Sequence, residues 1–121
     1  MLRKAKSTNP ELITLISFLK KKSREEKADI WLDVAEGLVE PKRKRLEVNV
    51  SRLNRYTQKG ETVVVPGKVL GSGTIRHPFT VAAFAFSEKA KDKLKAAKAK
   101  RLSILELVEK NPKGTNVKII G

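Results

Sequence analysis

Two short stretches of this chain carry the residue types that hold phosphate. The first is Pro66-Gly67-Lys68-Val69-Leu70-Gly71-Ser72-Gly73, followed by a mostly apolar run over 80–86. The second is Pro41-Lys42-Arg43-Lys44-Arg45. A Walker loop needs GxxxxGK[ST], because its backbone N–H groups wrap phosphate while the Lys and the hydroxyl reach phosphate and magnesium. Here Gly67 precedes Gly71 by four residues, and no Lys-Ser/Thr pair follows. A dinucleotide fingerprint needs GxGxxG at a strand-to-helix turn. Gly71-x-Gly73 fits, but Arg76 takes the third position, and Pro78 with a strand-like run follows where a helix is required. The first stretch is therefore expected to be a glycine turn between two strands. A loop without side chains also lets another backbone approach closely.

Other chemistry finds little support. Cysteine is absent, which excludes disulfides, thiolate metal sites and thiol catalysis. His77 is the single histidine, with no cysteine or second histidine to share a metal; with Pro78 after it, its backbone is biased to an extended form, and its ring could touch a phosphate but is expected in solvent. Ser72 lacks the GxSxG context of a nucleophile elbow. The carboxylates fall at spacings expected of solvated helix faces. No catalytic set, cofactor or metal site is expected.

Charge is the dominant signal. Lys and Arg number 27 against 13 Asp and Glu, a net charge of +14. A folded chain this basic repels itself unless a polyanion is near, and nucleic acid is the usual partner, through release of phosphate counterions. Three basic sets stand out. Arg3, Lys4 and Lys6 lie in an aperiodic start, 1–8, expected to be a flexible arm. Lys42, Arg43, Lys44 and Arg45 form the densest cluster, and arginine forks hold phosphate at two points. Arg52 and Arg55 are three apart and share a face if their segment is helical. Neutral hydrogen-bonders, Asn49, Ser51 and Asn54, are interspersed and suit sugar hydroxyls and base edges. Lys68, Gly71, Ser72 and Gly73 complete the candidate set as minor contacts. The lysines of 89–101 read equally well as a solvated face. Tyr56 could stack on a base, but is expected to be a half-buried core residue, and Trp31 to be core.

The elements that must position these residues follow from periodicity and caps. Asn9-Pro10-Glu11 has the form of an N-cap, a first-turn proline and an acid facing the helix dipole; a helix follows, ending near Lys20, Lys21 and Lys22. Ser23 and Glu26 have capping-box spacing for a second helix through Leu38, stopped by Pro41. Its acids, Asp29, Asp33, Glu36 and Glu40, make it a poor polyanion contact. Residues 46–50 alternate as a short strand, and 51–56 should form a helical turn. Residues 62–65 are a β-branched strand, broken by Pro66-Gly67 before a short strand at 68–70; 80–86 is a buried strand. Ser87 caps a helix reaching about Lys100, with a thin stripe of Ala90, Leu94 and Ala97 that is too narrow to seek a membrane. Ser103 and Glu106 form a capping box, and 111–114 turn into a last strand at 117–120. The fold class is mixed α/β, one compact domain over 9–121 with two N-terminal helices and a basic N-terminal arm.

At this point the residues carry a resemblance. Pro41-Lys-Arg-Lys-Arg-Leu-Glu-Val-Asn-Val-Ser-Arg-Leu53 resembles the signature of ribosomal large-subunit protein eighteen-e. A second block, Val63-Val-Val-Pro-Gly-Lys-Val-Leu-Gly-x-Gly73 with Thr80-Val-Ala-Ala-Phe and Phe86-Ser87, is similar to the family in the same order. The likeness runs from Asn9 to Gly121, and the short length is of the archaeal type. The resemblance implies a cytoplasmic structural protein of the large subunit that takes part in translation and binds large-subunit ribosomal RNA beside neighbouring ribosomal proteins. It implies no enzymatic activity, no cofactor, no small-molecule substrate and no membrane contact. It also implies the fold of the C-terminal part of bacterial large-subunit protein fifteen, irregular strand-strand-helix turns. In one place the chain departs: Lys98-Ala99 stands where the family often has a glycine pair, so the preceding helix is expected to extend toward Ser103. The rival readings are a free DNA- or RNA-architectural nucleoid protein and a small nucleotide-binding enzyme using 67–73.

Overall fold

The computed structural model describes residues 9–39 and 46–120. Helix α1 spans Pro10–Glu26, α2 Asp29–Val39, and α3 Val50–Tyr56; α4 spans Glu88–Ala96 and α5 Ile104–Lys110. Strand β1 is Leu46–Asn49, β2 Thr62–Leu70, β3 Thr80–Phe86, β4 Lys100–Ser103 and β5 Val117–Ile119. The five strands form one sheet in the order β1-β2-β3-β4, with β5 also pairing β2, and every pairing is parallel.

A parallel sheet needs cover on both faces, and the apolar residues divide accordingly. Val64 and Ala82 pack one way, against Leu12, Ile16 and Leu19 of α1, Trp31 and Leu38 of α2, and Ile104 and Val108 of α5. Val63, Val65, Val69 and Val81 pack the other way, against Val50 and Leu53 of α3 and Ala90 and Leu94 of α4. Strand alternation thus sorts the helices into two layers around one sheet, a mixed α/β domain as expected.

Three boundaries differ from expectation. Helix α1 does not stop at its lysines: Ser23 is a buried member of the stripe Leu12, Ile16, Leu19, Ser23, and the helix ends only where Lys27 turns left-handed at φ 53°. Lys21 and Lys22 lie beside Glu25 inside this helix, at 3.9 and 3.8 Å. Ser23 and Glu26 therefore cap nothing, and α2 starts at Asp29.

Pro66-Gly67 does not break β2. Between Val65 and Lys68 the register against β3 shifts by one residue, a bulge. On its other side β2 pairs β5 over 62–64 and β1 over 67–70. Pro66 falls at this changeover, in none of the registers, so its missing N–H breaks no ladder bond there. Gly67 is required by contact: a Cβ there would lie 2.1 Å from the Leu46 carbonyl oxygen.

Helix α4 ends at Ala96, not near Ser103. Ala99 N–H donates to Leu94 C=O and Lys98 N–H to Lys95 C=O, the two bonds of a Schellman motif, with Lys98 at φ 60°. Lys98 adopts the left-handed conformation that a glycine would take, and 100–103 are released to form β4. The other helix starts match the sequence reading. Asn9 Oδ1 accepts from Glu11 N–H, Ser87 Oγ from Ala90 N–H, and Ser103 and Glu106 form the reciprocal capping box.

Candidate nucleic-acid interface

Because β2 and β3 are parallel, 71–79 cannot be a hairpin turn. The segment must carry the chain back along the length of the sheet. Ten peptide steps from Leu70 to Thr80 reach at most about 36 Å, and the return along β2 is roughly 26 Å, so the crossover runs largely extended. Such a segment has no internal hydrogen bonds and needs external ones. Ser51 N–H donates to Ser72 C=O at 3.2 Å. Asn49 Oδ1 accepts from Ser72 N–H at 3.1 Å, and Asn54 Oδ1 accepts from Arg76 N–H at 2.8 Å. Gly60 N–H donates to Pro78 C=O, and Lys93 Nζ donates to Gly73 C=O.

His77 closes this series. Its Nε2 lies 2.8 Å from Thr57 Oγ1, which donates its one hydrogen to Leu53 C=O at 2.7 Å. The hydroxyl oxygen therefore accepts, and Nε2 carries the ring hydrogen. The ring is half-buried and tilted against Phe79 at 5.7 Å. Its expected place in solvent is corrected: the extended crossover lays it against the end of α3.

The glycines are explained by protein neighbours. A Cβ on Gly71 would come within 2.8 Å of Ala90 N and closer to Lys89; one on Gly73, at φ 101°, would lie 2.2 Å from Ser51 Cβ. The close approach is to α4 and α3. Gly71 is buried, while Ser72, Gly73, Thr74 and Arg76 are exposed.

These contacts place cations side by side. Helix α3 is a true helix, and Arg52 and Arg55 both stand exposed on it. Along α4 the lysines split. Lys89 and Lys93 border the crossover at Gly71 and Gly73, whereas Lys91 and Lys95 line a depression with Arg101 of β4. The surface over α3, the crossover and the near side of α4 thus gathers Arg52, Arg55, Arg76, Lys89 and Lys93, with the Ser51 and Ser72 hydroxyls among them. Asp29, Asp33 and Glu36 are exposed on α2, in the opposite layer. The α2 acids thus stand in the other layer, although α1 there also carries exposed Lys21, Arg24 and Lys27, and α4 carries exposed Glu88 and Asp92.

Not every candidate joins this surface. Lys68 alternates with Val69, so it points to the α2 side, and its register partner is Glu47. Arg3, Lys4, Lys6, Lys42, Arg43, Lys44 and Arg45 lie outside the described residues. Sequence reasoning missed Arg76, the division of the α4 lysines and the exposure of Tyr56. Tyr56 is 53% exposed and belongs to neither core cluster. The Arg52 guanidinium lies 5.6 Å from its ring centroid. The i,i+4 spacing of these two residues was the available signal.

At the far side of α3, Glu61 Oε2 pairs with Lys118 Nζ of β5 at 2.9 Å, and its Oε1 accepts from Gln58 N–H at 2.6 Å. The Lys118 hydrogen bond, then the Gln58 N–H, hold this carboxyl below its ordinary range. Strand β5 is placed from α2: Trp31 Nε1 donates to Pro112 C=O, and Gly114, at φ 66°, packs on Ile30. Among the described residues, no group of three or more His, Cys, Asp or Glu could hold a metal, and no helix is long and apolar enough to cross a membrane.

Comparison with known proteins gives the family. Residues 2–121 match the family model described as ribosomal protein 60S L18 and 50S L18e. The chain is 50% identical over 120 residues to the large ribosomal subunit protein eL18 of Methanothermobacter thermautotrophicus, covering 99% of each chain. It is 48% identical to that of Methanoregula boonei, over 99% of each chain. It is also 48% identical to that of Methanococcus maripaludis, over 98% of this chain and 99% of the relative. The free nucleoid-protein reading is thereby set aside. From end to end, the chain belongs to the L18 and L18e family of large-subunit ribosomal proteins.

Proposed function

We propose that the chain serves the large subunit by holding large-subunit ribosomal RNA against the surface of α3, the crossover 71–79 and the near side of α4. Arg52, Arg55, Arg76, Lys89 and Lys93 neutralise phosphates, and the Ser51 and Ser72 hydroxyls bond to sugar or phosphate oxygens. The exposed backbone of Gly73 admits the RNA strand closely; Gly71 and the Asn49 side chain act beneath it, by holding the crossover. Lys42, Arg43, Lys44 and Arg45 precede β1 and act with Lys68 as a second contact, and Arg3, Lys4 and Lys6 of the basic arm as a third. Neighbouring large-subunit proteins meet the remaining surface.

One observation carries this reading. The crossover is fixed by neutral side chains, Asn49 at the end of β1 and Asn54 on α3, so the cations on both sides of it are held in one constellation in the layer opposite the acids of α2. The test is affinity for protein-free large-subunit ribosomal RNA measured against salt. The log–log slope should be steep, and Arg52→Gln with Arg55→Gln should reduce it by about 1.5–2. Lys21→Gln with Arg24→Gln, on α1 in the other layer, should leave it nearly unchanged. A flat wild-type slope refutes phosphate contact altogether. Equal losses from the two pairs refute the choice of surface.

A further inference from the structure

Four large apolar side chains are exposed among the described residues, and two of them, Tyr56 and Ile119, border one depression of about 450 Å³. Arg52, Lys118 and Ile120 complete its lining. The volume lies in the range of small-ligand sites. Its composition is specific: a half-exposed aromatic ring with a guanidinium 5.6 Å from its centroid, a lysine, and the edge of a strand. On helix α3, Ser51 and Asn54 face the crossover; Arg52 lies between Arg55 and Tyr56 around the exposed face, at the edge of the basic surface, with Tyr56 beyond it.

The strand edge adds hydrogen-bonding groups. In a parallel ladder, alternate residues turn their N–H and C=O toward one neighbour. Ile120 N–H donates to Val64 C=O, so Ile120 and Lys118 turn toward β2. Ile119 then directs its N–H and C=O away from β2, and among the described residues β5 pairs with no other strand. A donor and an acceptor stand side by side at the margin of a depression walled by Tyr56. Lys118 is held there by Glu61 at 2.9 Å, and Glu61 is itself fixed by Gln58 N–H.

We propose that this depression seats a single unstacked nucleotide of the RNA. Its base stacks on the Tyr56–Arg52 pair, its edge bonds to the backbone of Ile119, and its phosphate is drawn to Arg52 and Lys118. Unstacked bases are held by aromatic rings and guanidinium planes in this way, and an adjacent donor and acceptor read a base edge. The inference rests on the RNA-binding reading above and adds a contact that is not primarily ionic. That difference makes it separable.

The test uses the full chain with protein-free large-subunit ribosomal RNA. Tyr56→Ala should weaken binding by about 5- to 150-fold, the range for loss of one base–aromatic stack, while the salt slope stays at the wild-type value. Tyr56→Phe keeps the ring and should bind within about two-fold of wild type. Ultraviolet crosslinking followed by tryptic digestion should leave a nucleotide adduct on Tyr56-Thr57-Gln58-Lys59, the peptide released by cleavage after Arg55 and Lys59. Unchanged affinity in Tyr56→Ala with a steep wild-type slope overturns the seat and leaves the phosphate surface standing. A flat wild-type slope instead overturns the reading on which the seat rests. Protection of Tyr56 only after other large-subunit proteins are added, with no effect on RNA alone, also overturns it, in favour of a protein contact.

Discussion

Replacing Lys98 by glycine should stabilise the fold. Lys98 occupies C′ of the Schellman motif that ends α4, at φ 60°. A side chain with a Cβ costs roughly 1–2 kcal/mol in this region, whereas glycine enters it freely. Glycine also gives the unfolded chain more freedom, which opposes the gain by about 0.5–1 kcal/mol. Loss of a lysine beside the helix C-terminus removes a few tenths of a kcal/mol of dipole interaction, offset by relief of repulsion from Lys95 and Lys100. The expected net effect is about +0.5 to +1 kcal/mol. For a domain of this size that raises Tm by about 2–4 °C. Thermal unfolding followed by circular dichroism measures it.

Lys98→Ala separates strain from charge. Alanine keeps the Cβ and removes the ammonium, so it should leave Tm within about 1 °C of wild type. If alanine and glycine raise Tm equally, the gain comes from charge and the strain argument fails. If glycine lowers Tm, the left-handed geometry at Lys98 is wrong. The same variant reads function: should Lys98 touch phosphate, the RNA salt slope falls by about 0.7–0.9 while stability rises.

Two further perturbations test the scaffold. Gly73→Ala places a Cβ 2.2 Å from Ser51 Cβ at φ 101°, and should destabilise the fold by at least about 2 kcal/mol in denaturant titration; a loss near zero would mean the crossover does not rest on α3. Glu61 has a carboxyl held below its ordinary range in the folded state, so its contribution is present above the unfolded pKa, near about 4.3, and is lost as pH falls through the lower folded value. Wild type should therefore lose more stability than Glu61→Gln between roughly pH 5 and pH 3, and parallel pH profiles would refute the pairing with Lys118.

Much of the fold is written in caps and β-branched runs. Asn9, Ser87 and Ser103 announce three helix starts, and Val63-Val64-Val65 announces the central strand. Helix ends are less visible, because Lys27 and Lys98 adopt left-handed conformations without being glycine. No residue type marks those stops, and a lysine run such as 20–22 invites a false one. Pro66-Gly67 misleads for the opposite reason. Its breaker residues serve a bulge and a close approach to Leu46 inside a continuous strand. The exposed strand at 100–103 has no alternation to betray it; it is defined by pairing with β3 alone.

The site divides by side-chain type. Cations announce a polyanion partner from composition, but which cations share a surface depends on the parallel order of β2 and β3. That order draws the crossover between α3 and α4 and sets Lys89 and Lys93 beside Gly71 and Gly73, while leaving Lys68 on the other face of the sheet. The neutral residues are harder to read. An asparagine that would bond to a ribose and one that ties down a loop look alike in sequence. Here the Oδ1 atoms of Asn49 and Asn54 go to the backbone of Ser72 and Arg76, so these residues hold the loop that carries Arg76, and under the proposed function they serve RNA binding through it. A flexible lysine loop would lose much of its electrostatic gain to ordering on contact. A taut crossover, tied along its length, has met that cost in folding. This is the physical sense in which glycines and asparagines, and not the cations alone, shape the proposed binding surface.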